Sequence, residues 1–316
     1  MNKKNTTIFF NEEGGLFLGD NIQVMHDLIN NGFSEKFDLV YIDPPYSTNN
    51  TFTIGKRTNT ISCNKNDEIA YLDKFNKQEY LDFIHCRLIL IHKLMSRQSS
   101  IYLHIDTKIG HYVKIIMDDV FGEQNFLSEI TRKKSNPKNF HRKTYGNEKD
   151  IILFYAKNAG DHIWNNITIS HSKKDIIKKY PKLDKSGRRY NTVPLHAPGE
   201  TINGLTGRAW KGVEPPIGRH WRVSPDELDK LDDAGLIEWS KTGNPRLKKF
   251  ADEHKGKKIQ DIWSNFKDPQ YPKYPTQKNY EMLDLIVRQS SLPNSWVLDA
   301  FAGGGTTLLA AKNNGR

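Results

Sequence analysis

Cysteine is almost absent: Cys63 and Cys86 are the only two in 316 residues, and they lie in no paired metal-ligand spacing. One falls in a polar loop and the other inside a helical pattern, so both are expected as free thiols, with no disulfide framework and no metal centre. Long apolar runs are missing too; none nears the ~18 residues that a membrane helix requires. The start, Met1-Asn2-Lys3-Lys4, is basic, but Ile8-Phe9-Phe10 is too short for a signal segment and Glu12-Glu13 follows it. A cytosolic protein is expected. There is no internal repeat and no low-complexity run. Acidic charge is in deficit overall, 37 Asp and Glu against 47 Lys and Arg, for a net +10. Residues 1–120 hold 13 Lys and Arg against 15 Asp and Glu, so all the excess positive charge lies beyond them. That asymmetry favours a polyanionic partner for the middle of the chain. Composition does not separate DNA from RNA.

What is present is organised around Phe37-Asp38-Leu39-Val40-Tyr41-Ile42, an unbroken apolar run that reads as a buried parallel strand. It stops at Asp43-Pro44-Pro45-Tyr46. Neither proline has an N–H and each fixes φ near −65°, so the turn is stiff and its carbonyl has no neighbouring donor. With the Asp43 carboxylate and the Tyr46 ring, the turn suits an exocyclic aromatic amine, which needs two acceptors and a stacking surface. As a tetrapeptide alone, Asp-Pro-Pro-Tyr could equally be an ordinary turn.

Around it the chain alternates. Leu16–Asp20 reads as a short strand, Val24, Leu28 and Ile29 as a helix face, and Ser47–Asn76 as a long mobile flap. Tyr80, Ile84, Leu88, Ile91 and Met95 mark a helix before the strand Ile101–Ile105; Ile109, Val113, Ile116 and Val120 mark the next. Phe126–Thr131 and Ile151–Tyr155 are two further strands, and between them runs a basic segment containing Arg132, Lys133, Lys134, Lys138 and Arg142 that is expected to contact phosphates. From about Gly160 to Tyr274 the alternation disappears, but Ser224, Pro225 and Glu227 spell a capped helix start, so this is a folded insert. The pattern returns with Thr276 as a cap, the helix face Tyr280, Leu283 and Val287, and the strand Trp296–Leu298, which runs into Asp299-Ala300-Phe301-Ala302-Gly303-Gly304-Gly305-Thr306-Thr307. Strands alternating with helices argue for a doubly wound α/β sheet whose ligands sit at the strands' carboxyl ends.

The glycine turn lacks the Gly-Lys-Ser/Thr of a P-loop, and Leu308 stands where a dinucleotide fingerprint needs its third glycine. Asp299 ahead of the glycines suits a ligand carrying an ammonium group, as S-adenosylmethionine does. Asp-Pro-Pro-Tyr upstream, Asp-Ala-Phe-Ala-Gly-Gly-Gly-Thr-Thr downstream and a basic insert between them resemble the β class of amino-methylating DNA methyltransferases, near the modification subunits of type III restriction systems. The stretches Trp210–Arg222, Ile237–Ser240, Asp261–Trp263 and Tyr274–Lys278 resemble that group's inserts as well.

The resemblance implies a circularly permuted, Rossmann-like methyltransferase sheet, with residues 1–159 as its catalytic part, 160–274 as a target-recognition insert and 275–316 as its cofactor part. It implies that Asp43 and the Pro44 carbonyl, in the turn closed by Pro45, accept hydrogen bonds from the target amine while Tyr46 stacks on the base. Asp299, Phe301, Ala302, Gly303, Gly305 and Thr306 would form the S-adenosylmethionine loop, with Thr276, Gln277 and Lys278 at the cofactor's methionine end and Asp20 as a further contact. Lys211, Arg219, Trp221 and Arg222 would join the basic segment on double-stranded DNA. A restriction subunit and a second copy of the chain are the further partners that such systems admit, and the nucleoid is the expected location.

The implied reaction is adenine-N6 methylation of a flipped base, without a covalent cysteine intermediate. Cytosine-N4 transfer, a non-catalytic DNA-binding remnant, and a protein or RNA methyltransferase are the alternatives; Asp before Pro-Pro leans towards adenine. Asn279 and Ala300 stand where the group usually has proline. The family continues beyond the equivalent of Gly315-Arg316 into a strand with an acidic residue for the cofactor ribose, so the C-terminal part of the sheet is expected to be missing.

Overall fold

The computed structural model describes residues 7–11, 14–45, 51–54, 61–62, 68–72, 76–136, 143–170, 172–253, 256–272 and 277–316, with backbone alone for 7–11, 51–54, 61–62 and 68–72. It divides into two compact units, one of residues 1–167 with 260–316 and one of residues 168–259. The second begins and ends inside the 160–274 expected for the insert.

The first unit is built on a six-stranded mixed sheet. Its strands are β1 (Phe37–Ile42), β2 (Met95–Ile105), β3 (Phe126–Lys133), β4 (Lys149–Ala156), β5 (Ile262–Trp263) and β6 (Trp296–Leu298), in the spatial order β5-β3-β4-β2-β1-β6. Neighbours pair parallel except at β4, which runs antiparallel to both β2 and β3. The carboxyl ends of the other five therefore share one edge with the start of β4.

Side chains alternate across these strands, and both faces are buried. Val40, Ile42, Ile101, Leu103, Ile105, Ile151, Leu153 and Tyr155 face one core, packed by helices α1 (Asn21–Leu28), α2 (Lys77–Leu94) and α3 (Thr107–Phe121). Each helix contributes a 3.6-period stripe, for α2 Tyr80, Ile84, Leu88 and Ile91, and each begins at a capping side chain, Asp20, Asn76 and Asp106. On the opposite face the Tyr102 and Phe154 rings stack with centroids 4.3 Å apart, and α4 (Tyr280–Ser290) joins them through a 2.7 Å hydrogen bond between the Tyr102 hydroxyl and Ser290. Helix α5 (Thr306–Asn313) follows β6 and packs on α4, with Asn313 Nδ2 donating to the Tyr280 hydroxyl at 2.8 Å. Among the described residues no helix is long and apolar enough to cross a membrane.

Three local expectations change. Gly14–Leu18 does not enter the main sheet; it pairs antiparallel with Thr7–Asn11 as a separate hairpin. The stretch 47–76, expected as a loop, contains three short strands, Thr51–Ile54, Ile61–Ser62 and Glu68–Leu72, that pair antiparallel. Helix α4 is capped by Asn279, whose side chain accepts from Met282 N at 2.9 Å, while Thr276 lies outside the described residues. Asn279 thus has a capping function of its own at a position where proline is usual in the family the chain resembles. Cys86 is an exposed free thiol, and Cys63 lies outside the described residues.

The second unit is a four-stranded antiparallel sheet of Lys182–Leu183, Arg189–Pro194, Pro245–Phe250 and Ile237–Trp239 with its own core of Leu195, Trp210, Trp221, Leu228 and Ile237. Its helix Pro225–Asp233 starts with the capping box read from the sequence: Ser224 accepts from Glu227 N, and the Glu227 carboxylate accepts from Ser224 N at 3.1 Å.

Gly110 brings α3 onto β4, because a Cβ there would meet Ile151 Cδ1 at 2.6 Å and Ile105 Cγ2 at 3.2 Å. Gly110→Val should lower stability by about 1–3 kcal/mol through overpacking, read as a shift in the urea midpoint; an unchanged midpoint would mean that the helix–sheet contact is loose.

Candidate active site

The strand order brings two carboxylates together. β1 ends at Ile42 and delivers Asp43; β6, its hydrogen-bonded neighbour with Leu298 opposite Val40, ends at Leu298 and delivers Asp299. Burial pushes the Asp299 carboxyl up to about 7, with the Asp43 charge adding to the rise, although Thr307 and the Phe301 N–H, 2.9 Å from Oδ1, bond to its ionised form. Gly303 and Gly305 have φ of +52° and +78°, values that glycine adopts without strain, and Gly305 opens α5. Thr306 is buried and Ala302 half-buried in this turn, and the Phe301 ring packs 6.1 Å from that of Phe83.

Asp20 joins the same neighbourhood through residues that the sequence reading did not single out. Its carboxylate caps α1 by accepting from Ile22 N at 2.8 Å and lies 3.9 Å from Arg87 Nη2. Arg87 Nε donates to Asn21 Oδ1 at 2.7 Å, and Asn21 Nδ2 donates to the Ala300 carbonyl at 3.0 Å, tying the glycine turn to α1 and α2. Arg87 had a signal: it falls among Ile84, Leu88 and Ile91 on the buried face of α2, where an unpaired charge would be costly.

From the other side, Lys278 reaches Asp43, with Nζ 3.1 Å from Oδ2. Pro44 is buried, Pro45 and Gln277 are half-buried, and Tyr46 lies outside the described residues.

Behind Asp43 runs a buried polar chain. The Tyr41 hydroxyl lies 2.8 Å from His104 Nδ1, and His104 Nε2 lies 2.9 Å from Asp150 Oδ2. Arg132 holds Asp150 with a bidentate pair at 2.9 and 2.7 Å and turns Nη1 to Asp268 at 2.6 Å. Burial works against the ionised Asp150 carboxyl, but His104 and then Arg132 outweigh that and hold it far below the usual carboxylate range. Burial and then the Lys278 charge push the His104 imidazole down, leaving it neutral near pH 7. Burial and then the Asp43 charge push the Tyr41 phenol well up.

Arg132 was expected on DNA phosphates, and the structure corrects this: its side chain is 0% exposed and committed to two carboxylates. Trp221 is corrected likewise, being the centre of the second unit's core with Nε1 donating to the Arg208 carbonyl at 3.0 Å. Of the other expected DNA contacts, Lys133 pairs with Glu148 at 3.0 Å and Lys134 with Asp106 at 3.5 Å. Lys138 and Arg142 lie outside the described residues. In the second unit Lys211 pairs with Asp232, Arg222 Nε donates to the Pro194 carbonyl at 3.2 Å, and Arg219 is exposed with Nη1 3.3 Å from His196 Nδ1.

The profile of the N6/N4 DNA methylase family matches residues 37–316, a span that includes both Asp43 and Asp299. The chain belongs to this DNA methylase family. Within the curated proteins it is similar to the type II methyltransferase M.EcaI of Enterobacter cloacae, 38% identical over 297 residues, covering 92% of this chain and 62% of that protein. It is also similar to the Mod subunit of the type III restriction-modification enzyme StyLTI of Salmonella typhimurium, 27% identical over 330 residues, covering 93% of this chain and 49% of the subunit. The chain therefore spans roughly half to three-fifths of the length of these family relatives. Of solved structures, the M1.HpyAVI–SAM complex aligns with a TM-score of 0.45 and 16% identity, covering 94% of this chain and 88% of that one.

Removing one partner of a buried pair leaves the other charge without compensation. Arg132→Ala should therefore lower stability by about 3–5 kcal/mol in urea denaturation. A loss below about 1 kcal/mol would mean that solvent reaches Asp150.

Proposed function

We propose that this chain carries the catalytic part of an S-adenosylmethionine-dependent DNA methyltransferase that modifies the N6 amine of an adenine flipped out of the duplex, as the modification component of a restriction-modification system. The observation that carries this reading is the adjacency of the two strand ends: an acceptor turn at Asp43 beside a glycine turn headed by Asp299. The chain order, acceptor strand before cofactor turn, supports a permuted methyltransferase sheet.

The residues at the glycine turn fit the cofactor. A desolvated carboxylate with its ionisation pushed up to about 7 is an electrostatic deficit that a ligand ammonium relieves. Asp299 would hold that ammonium, the backbone from Phe301 to Gly305 would line the adenosine side, and Gln277 and Lys278 would stand at the methionine end. Bound S-adenosylmethionine supplies a methyl group on a positively charged sulfur.

The chain's own residues do the rest. An adenine amine is a poor nucleophile because its lone pair is delocalised into the ring. Asp43 and the Pro44 carbonyl accept its two hydrogens, which favours a pyramidal nitrogen whose lone pair is free for in-line attack. Tyr46 stacks on the base. Asp rather than Ser at position 43 supports adenine over cytosine as the target. Lys133, Lys134, Lys138, Arg142, Lys211, Arg219 and Arg222 are the phosphate and base contacts left after Arg132 and Trp221 are withdrawn. The Mod subunits among the relatives support a restriction subunit as partner, and a second copy of the chain is a further one.

Asp43→Ala should lower methyl transfer by about two to three orders of magnitude while leaving duplex affinity within a few-fold, because it removes an acceptor aimed at the reacting amine. Radiolabelled transfer and gel-shift titration check this, and modified-base sequencing separates adenine-N6 from cytosine-N4. Transfer near the parent rate would end the assigned role for Asp43.

A cation bound beside Asp299 favours its ionised form, so affinity for S-adenosylmethionine should rise as pH increases through about 7, with release of a proton at lower pH. Calorimetry in two buffers of different ionisation enthalpy measures this. Asp299→Asn should bind more weakly and lose the pH dependence; a variant that keeps it would place the titration on another group.

A further inference from the structure

We propose that Tyr41 and His104 are positioning residues for Asp43, holding the end of β1 through a chain of buried contacts anchored on Asp150 and Arg132. This rests on the methyltransferase reading and adds to it two residues that touch neither base nor cofactor.

Four adjacent strands contribute one member each: Tyr41 from β1, His104 from β2, Asp150 from β4 and Arg132 from β3. None is more than 2% exposed. Asp268, on the segment that follows β5, closes the far end at 2.6 Å from Arg132. The 2.9 Å approach of His104 Nε2 to Asp150 Oδ2 orders the protons along this line. An ionised Asp150 only accepts, so the imidazole proton belongs on Nε2; Nδ1 is then the acceptor, and the Tyr41 hydroxyl donates to it. The phenol stays protonated and the imidazole neutral near pH 7 because both are buried, with Asp43 disfavouring ionisation of the first and Lys278 disfavouring protonation of the second.

Location makes this chain more than a fold element. Tyr41 lies two residues before Asp43 on β1, and both Asp43 and Asp299 act on it electrostatically. Lys278, which pairs with Asp43, also acts on His104. The polar line therefore meets the site where the two carboxylates and the cation gather. Apolar side chains could fill the same volume without desolvating charge. What they could not supply is one fixed direction for Tyr41, and an acceptor must be held within about 0.5 Å of its working position to act on a reacting amine. The groups facing His104 are Tyr41, Asp150, Arg132 and Lys278; if the imidazole were protonated at both nitrogens, the Tyr41 hydroxyl would lose its acceptor.

The test uses Tyr41→Phe, which removes a single oxygen, with His104→Gln and His104→Leu beside it. Tyr41→Phe should keep its melting midpoint within a few degrees and its affinity for S-adenosylmethionine and duplex within about twofold. Its kcat should fall at least tenfold. Glutamine offers one donor and one acceptor, so His104→Gln should retain more kcat than His104→Leu. Nitrogen-15 NMR of the unmutated protein should show His104 as the neutral Nε2–H tautomer, a reading that needs no activity. An active parent whose Tyr41→Phe variant keeps its kcat, or a His104 carrying its proton on Nδ1, overturns the proposal alone. A parent that transfers no methyl group to DNA overturns the methyltransferase reading and this proposal with it.

Discussion

An ionised carboxylate in the middle of a sheet constrains everything around it, and Asp150 is that carboxylate here. It opens the one strand of the main sheet that runs against its neighbours, and at 1% exposure it has little water to share its charge. A desolvated charge of this kind is tolerated only with a cation and well-directed donors. Arg132 comes from one neighbouring strand and His104 from the other, so a single charge bridges three strands. Because the guanidinium has donors left over, it also holds Asp268, on the segment that follows β5.

Those constraints converge on the edge where the strands end. β1 and β6 are neighbours in the sheet although they lie far apart in the chain, and their last residues lead into Asp43 and Asp299. The site is therefore assembled from two turns with different duties. One is stiffened by consecutive prolines and offers acceptors; the other is opened by glycines and offers backbone. Arg87 and Asn21 tie the second turn to α1 and α2.

Local chemistry was readable along the chain. Asp43-Pro44-Pro45, the glycines before α5, and the Ser224–Glu227 capping box each announce themselves within a few residues, and periodicity located α2, α3 and β1. What could not be read depends on which strands become neighbours. His104 and Asp150 are ordinary polar residues until β2 and β4 pair, and no spacing in the sequence links either to Tyr41. Arg132 was misread because it stands next to Lys133 and Lys134 in a basic run. Strand alternation would have put it on the face of Ile130, away from its neighbours. Trp221 was misread for a similar reason: its flanking arginines suggest a surface, whereas its ring supplies the core volume of a small unit. Leu16–Asp20 was read as a strand of the alternating pattern, whereas Gly14–Leu18 pairs with Thr7–Asn11, because a short apolar run does not reveal its partner.

The pairing of Trp296 with Phe37 carries a kinetic consequence. Strand β6 joins β1 across nearly the whole intervening sequence, and closing so large a loop is slow compared with forming the helices and the nearer strands. During synthesis the acceptor turn, Tyr41, His104, Arg132 and Asp150 leave the ribosome first, and Asp268, Lys278 and the glycine turn follow. The order of assembly is thus written into the topology: the half that would recognise a base matures first, and it remains an unfinished seat with an open strand edge until the half that would hold a methyl donor arrives to cover it.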